Sequence, residues 1–260
     1  GRAVPLERTE TKLLIDEPNR RVTETIVRKY DATGQMGSTE RTVSEEQKRA
    51  DGSTIHATVY RSDANGRLQE GERRVIESQT QGAITTAAVT IARAGLNGSF
   101  ETAEKRKVVT TVAGDTTRET EIVERPEQGN IQFVEVARHI KEITKSGDKS
   151  TSNTAHYEAN YVGKMALIRQ ETSTTVKNSD GTQVTELTLY APSTNGTARD
   201  EQGGQKLREQ QVTVRKESAG VVTETTTVRR PTLADPNRLG DPMVISNLAC
   251  TGKCDGPLQP

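Results

Sequence analysis

The chain has 260 residues, with 36 Lys and Arg against 36 Asp and Glu, and a formal net charge of zero. Apolar residues make up 31%, Trp is absent, and the aromatics are five Tyr and two Phe. This composition argues against one large conventional hydrophobic core. No run approaches the 18 apolar residues of a membrane-spanning helix. The neutral balance and missing rings also argue against nucleic-acid binding through bulk charge or stacking.

Low hydrophobicity alone would fit disorder, but disorder also asks for high net charge and few β-branched residues. Here Thr alone contributes 37 residues, and Thr, Val and Ile together favour strands. Residues 1–20 form an N-terminal extension whose densest aliphatic cluster is Leu13, Leu14 and Ile15. Asp16-Glu17-Pro18-Asn19 ends any strand there. Two readings stay open for this segment: an edge strand of its own sheet, or a donor strand that adds to a neighbouring subunit.

Residues 21–240 carry the main signal. Turn-forming glycines recur at Gly52, Gly66, Gly82, Gly98, Gly114, Gly129, Gly147, Gly163, Gly181 and Gly196, at steps of 14 to 18 residues. Asn-Gly and Asp-Gly between β-rich runs are strong hairpin signals, because both residue types tolerate the positive φ of a tight reversal. The segments between them lack apolar residues at helical spacing. They also alternate in kind. A charged run such as Glu72-Arg73-Arg74-Val75 or Glu104-Lys105-Arg106-Lys107-Val108 alternates with a Thr-rich run such as Thr58-Val59-Tyr60-Arg61 or Leu187-Thr188-Leu189-Tyr190. The expected unit is therefore a hairpin of about 32 residues, repeated about six times. Apolar residues fall on both faces of each strand, so the sheet must borrow burial from neighbouring copies.

Residues 241–260 form a Pro-rich tail. Pro231, Pro236, Pro242, Pro257 and Pro260 predict that regular strand pairing ends near Arg230. The tail also holds the only cysteines, Cys250 and Cys254, which read as a local disulfide of an oxidising compartment. No His lies nearby to complete a metal site, and the spacing departs from the redox Cys-x-x-Cys form.

The catalytic inventory is thin. His56, His139 and His156 fall on separate predicted strands with no motif tying them to a nucleophile, and Glu45-Glu46 point to opposite faces of one strand. No nucleophile elbow or phosphate-binding loop occurs. Asp31-Ala32-Thr33-Gly34 and Asp63-Ala64-Asn65-Gly66 offer oxygen ligands but lack a calcium-loop pattern, and turn chemistry accounts for them. Neither catalysis, a cofactor nor a metal site is expected.

Tyr30-Asp31-Ala32-Thr33-Gly34-Gln35 and Tyr60-Arg61-Ser62-Asp63-Ala64-Asn65-Gly66-Arg67-Leu68 resemble the Tyr-Asp repeats of Rhs-type secreted proteins. The chain as a whole resembles uncharacterised secreted hairpin-repeat proteins of acidobacteria. The residues that carry this are Asn65 to Leu68, Val228-Arg229-Arg230-Pro231-Thr232, and Cys250-Thr251-Gly252-Lys253-Cys254. Val228 directly precedes the Arg pair, a departure from the spaced form. The resemblance implies secretion and repetition, and no activity.

The resulting expectation is an all-β protein of repeated hairpins in an extended antiparallel meander or superhelical sheet. Its expected role is that of a secreted structural subunit of an extracellular filament or matrix, with copies of itself as partners and assembly through strand edges. The alternative is a surface adhesin or polysaccharide-binding module, although carbohydrate binding has no aromatic platform to support it.

Overall fold

A computed structural model of the chain describes residues 7–31, 33–127, 132–192, 205–232 and 238–251. The described residues form strands and turns without a helix. The first strands are β1 (Glu7–Glu17), β2 (Arg20–Tyr30), β3 (Met36–Arg49), β4 (Gly52–Ser62), β5 (Leu68–Gln81) and β6 (Ile84–Ala94). Next come β7 (Phe100–Ala113), β8 (Thr116–Pro126), β9 (Phe133–Ser146), β10 (Lys149–Ala159) and β11 (Met165–Lys177). The last are β12 (Gln183–Pro192), β13 (Gln205–Ser218), β14 (Val221–Arg229) and β15 (Met243–Thr251). They lie in one 15-stranded sheet in strict chain order, an antiparallel meander of successive hairpins. The chain divides into two compact units, one of residues 1–110 and 121–135, the other of residues 111–120 and 136–260.

The strands alternate in length for a reason visible at the turns. In the first unit β3 and β5 have 14 residues, while β2, β4 and β6 have 11. The long strand continues past the turn of the preceding hairpin and donates a backbone N–H to it. Lys48 donates to the Asn19 carbonyl at 2.9 Å and Thr80 to that of Asp51 at 2.6 Å. In the second unit Lys145 and Lys177 do the same to Asp115 and Asp148. These turn carbonyls are thus satisfied by the next strand.

The opposite turns are five-residue loops closed by an Asx side chain. Asp31, Asp63 and Asn160 each accept backbone N–H groups two and four residues on, at 2.8 to 3.0 Å. One oxygen of each is thus engaged by its own loop, as turn chemistry predicts, and the second oxygen of Asp63 accepts from Gln69 of β5. The expected turns at Gly129 and Gly196 lie outside the described residues.

Strand pairing does not end at Arg230. Met243–Thr251 forms β15, which pairs with β14 from Val221↔Thr251 to Val228↔Met243. The crowded prolines lie outside that span, so they delimit the strand without interrupting it. At the other end Leu13, Leu14 and Ile15 belong to β1, which pairs with β2 from Glu7↔Lys29 to Glu17↔Arg20. The segment is an edge strand within its own chain.

Burial is sparse and confined to particular positions. Among the described residues the buried apolar side chains are Val22, Ala57, Val59, Ile91, Val123, Val222 and Val228. Val59, Ile91, Val123 and Val228 are each the eighth residue of their strand. The sequence puts apolar residues on both faces, but among the described residues only these few are buried. In β4 to β6 the buried residues lie on one face, because Val59 is register partner to Glu72, and Arg74 to both Ala57 and Ile91.

Two backbone positions yield predictions. A Cβ on Gly52 would stand 1.9 Å from the Ser78 carbonyl oxygen of β5, so Gly52→Ala forces backbone displacement. Chemical denaturation of this variant is expected to show a loss of about 1–3 kcal/mol. Ala219 is the only non-glycine among the described residues with positive φ, at 52°, beside Gly220 at 75°. That pattern is the one Asn-Gly favours in a hairpin. Ala219→Asn is expected to raise stability by about 0.5–1 kcal/mol, read as a higher melting temperature.

Candidate functional site: an arginine–glutamate ladder

The charged strands place a Glu near the start of one long strand and an Arg near the end of the next short one, so that a pair forms across the hairpin. Arg61 Nε donates to Glu40 Oε2 at 2.9 Å, Arg93 Nε to Glu72 Oε2 at 3.3 Å, and Arg125 Nε to Glu104 Oε2 at 3.0 Å. In the second unit Arg230 Nε donates to Glu209 Oε2 at 2.7 Å. In all four the Arg follows its Glu by 21 residues. Each Arg also follows the buried Val or Ile of its strand by two, which puts ladder and core on one face.

Two of these carboxylates are buried. Glu72 and Glu104 each belong to residues only 2% exposed. An unpaired carboxylate in that position would be very costly, and both are met from several sides. Glu72 accepts from Arg74 Nε at 2.5 Å and Arg93 Nε at 3.3 Å, with Arg61 Nη2 at 3.7 Å. Glu104 accepts from Arg106 Nε at 2.6 Å and Arg125 Nε at 3.0 Å, and Arg106 Nη1 reaches Glu121 at 3.2 Å. Burial pushes both Glu pKa values up, but the arginine hydrogen bonds and charges outweigh it and hold them below the ordinary carboxylate range.

The other face of the first unit stacks cations on aromatic rings. The Arg41 guanidinium lies 5.3 Å from the Tyr60 ring centre, that of Arg73 4.0 Å from Phe100, and Lys105 Nζ 4.3 Å from Phe133. Each ring is thereby covered by a long polar side chain in place of a second protein layer.

In the second unit the ladder is interrupted. His139 of β9 is register partner to His156 of β10, and their rings meet edge to face with centres 4.8 Å apart. Arg169 of β11 is the partner of His156 on the other side and bonds Glu171 at 2.5 Å. Burial and the neighbouring His139 push the His156 pKa down, although Glu171, with Oε1 3.8 Å from Nε2, opposes the shift. The sequence places these histidines on separate strands; only the register brings them together. His56 lies apart, in β4, opposite Glu45 and Val75.

Of the residues singled out for assembly, Leu13 and Leu14 are exposed and Ile15 is half-buried. Leu13 and Leu14 are 48% and 52% accessible, and the register shifts between Leu13 and Ile15, making Leu14 a bulge. Cys250 lies in β15 opposite Val222; Cys254, its expected disulfide partner, lies outside the described residues. Among the described residues no three ligand-type side chains converge in a way that could hold a metal ion, and no helix is long and apolar enough to cross a membrane. Sequence reasoning missed the ladder, although its signal is there: Glu-x-Arg at 72–74 and 104–106, answered by Arg93 and Arg125.

No family model matches the chain, and no curated protein matches it. Among solved structures it is similar to OmpT (in-vitro folded), an outer membrane protein of Vibrio cholerae in its trimer form. Identity is 8%, coverage is 94% of this chain and 97% of that one, and the TM-score is 0.35. A TM-score of that size carries no argument about function.

Replacing Glu72 by Gln removes the charge that Arg74, Arg93 and Arg61 converge on. Loss of these charge-assisted bonds is expected to cost about 2 kcal/mol in urea denaturation. Because the folded-state pKa values of Glu72 and Glu104 lie below those of the unfolded chain, their contribution is full above about pH 4.3 and is lost as pH falls through the folded values. The wild-type protein should therefore lose more stability on acidification than the Glu72→Gln/Glu104→Gln variant. Parallel pH curves for the two proteins would refute this assignment.

Proposed function

We propose that this protein is a structural subunit of an extracellular filament or matrix, assembled with copies of itself through β-strand edges. The observation that carries this reading is the composition of β15. Every other strand holds at least one charged residue; β15 (MVISNLACT) holds none. Among the described residues it pairs with β14 alone, and Met243, Val244 and Ile245 are all exposed, Val244 by 64%. Natural sheets blunt their edges with charges, prolines or short strands because an open edge templates further pairing. A nine-residue uncharged edge has the character of a docking strand.

The natural acceptor is β1 of another copy. It ends the strand order at the opposite side, pairs with β2 alone among the described residues, and carries the exposed Leu13-Leu14 step. Joining unlike edges is a heterologous contact, which propagates unless the rotation closes a ring. A hairpin repeat of about 32 residues suits such a subunit, because each added copy continues the same pattern. It is supported by the starts of β2, β4, β6 and β8 at residues 20, 52, 84 and 116. A Cys250–Cys254 bridge would start within the docking strand, since Cys250 lies in β15, and would fit an oxidising, extracellular or cell-surface location.

Negative-stain electron microscopy paired with size-exclusion chromatography tests the reading. The wild-type protein is expected to form filaments of uniform width, and Val244→Lys, which places a charge on the exposed edge strand, is expected to leave discrete subunits with unchanged circular dichroism. Monodisperse wild-type protein at micromolar concentration, or filaments undisturbed by Val244→Lys, would sink it.

A further inference from the structure

Within the first unit the ladder opens into a shallow groove of about 380 Å³ whose floor is Ile76, Val89 and Ile91. Its walls carry Arg61, Arg74, Arg93 and Arg106 with the carboxylates Glu72 and Glu121; Arg61 is also held by Glu40 and Arg106 by Glu104, so Arg74 and Arg93 around the single Glu72 supply the open positive charge. The four arginines come from four consecutive strands, β4 to β7. We propose that this groove binds an acidic polysaccharide, a chain of uronate sugars laid across the strands.

Three features select that ligand. Arg74 and Arg93 use Nε to hold Glu72, and their side chains are 41% and 57% exposed. Both terminal nitrogens of each are left for a ligand, in the planar fork that matches a carboxylate. The buried Glu72 thus acts as an anchor that fixes the two forks. Secondly, the two forks stand diagonally across neighbouring strands, Arg93 opposite Glu72 and Arg74 two residues further along β5, a separation of roughly 7–8 Å that carboxylates on successive sugars of an extended chain can span. Thirdly, no aromatic side chain lines the groove. A nucleic acid would find no ring for its bases to stack on, whereas a uronate chain needs only charge, hydrogen bonds and a small apolar floor. This inference goes beyond self-assembly, and the two are read by separate assays: loss of ligand binding leaves the filament reading standing, and the reverse.

The test is isothermal titration of the full chain at low salt with oligogalacturonate, and with heparin, neutral dextran and single-stranded DNA as comparisons. Oligogalacturonate is expected to bind, dextran not to bind, and added salt to weaken the interaction as an exposed ionic contact requires. Arg74→Gln/Arg93→Gln should weaken binding at least about tenfold while circular dichroism confirms the sheet. Should that variant fail to fold, Arg74→Lys/Arg93→Lys keeps the charge that Glu72 needs and removes the forks, and a weaker but measurable affinity is expected. The proposal is overturned by absence of oligogalacturonate binding, by equal or tighter binding of heparin, dextran or single-stranded DNA, or by wild-type affinity in a folded Gln or Lys variant.

Discussion

An ionised carboxylate inside a β-sheet has to be neutralised where it sits, and here the guanidinium groups come from the same strand and from neighbouring strands. Glu72 is held by Arg74 of β5, Arg93 of β6 and, more distantly, Arg61 of β4. Such a group tolerates no slip. Shifting a neighbouring strand by one residue turns its side chains to the other face and would take Arg93 from Glu72 or Arg125 from Glu104, leaving each buried carboxylate with the arginine of its own strand alone. A sheet with few buried hydrophobes thereby gains a register that Thr and Val pairs alone would specify weakly. Apolar residues of similar volume in place of the ladder can preserve stability, as they do for buried ion pairs elsewhere, but they would take away this penalty for misalignment.

The same arrangement explains how the two faces of the first unit divide their work. One face carries the buried Val59, Ile91 and Val123 with the ladder beside them. The other carries aromatic rings roofed by Arg41, Arg73 and Lys105. Long basic side chains do on each face what a second layer of protein does in a sandwich: their methylene stems cover apolar surface and their charged ends stay in water. The chain's high charge content with zero net charge follows from this use, since each cation that covers or pairs must be balanced nearby.

Much of the architecture is legible in the residues. Asp63, Asn65-Gly66 and Asn160 announce their loops because an Asx side chain bonds the backbone two residues on, an interaction contained within five residues. The alternation of charged and Thr-rich runs announces the hairpins. Two things are not legible. The prolines between Arg230 and Met243 read as the end of the sheet, yet β15 resumes pairing beyond them; proline forbids strand at its own position and is silent about residues further along the chain. The pairing of His139 with His156, and of Glu72 with Arg93, depends on strand register across a hairpin. Composition shows which residue types a strand holds and not which of them stand opposite one another, so cross-strand partners emerge only from the fold.

Strict chain order has a mechanical consequence. Because each strand is bonded to its neighbours in sequence, tension on the two ends of the chain loads the outermost strand in peeling rather than in shear, and its hydrogen bonds break singly and in succession. Each released strand, of 9 to 14 residues, yields roughly 30–50 Å of extended chain. The detached strand also remains beside its own partner in sequence, ready to zip back when the load falls. A material built from such subunits would lengthen in many small steps at modest force and recover, dissipating work in place of storing it.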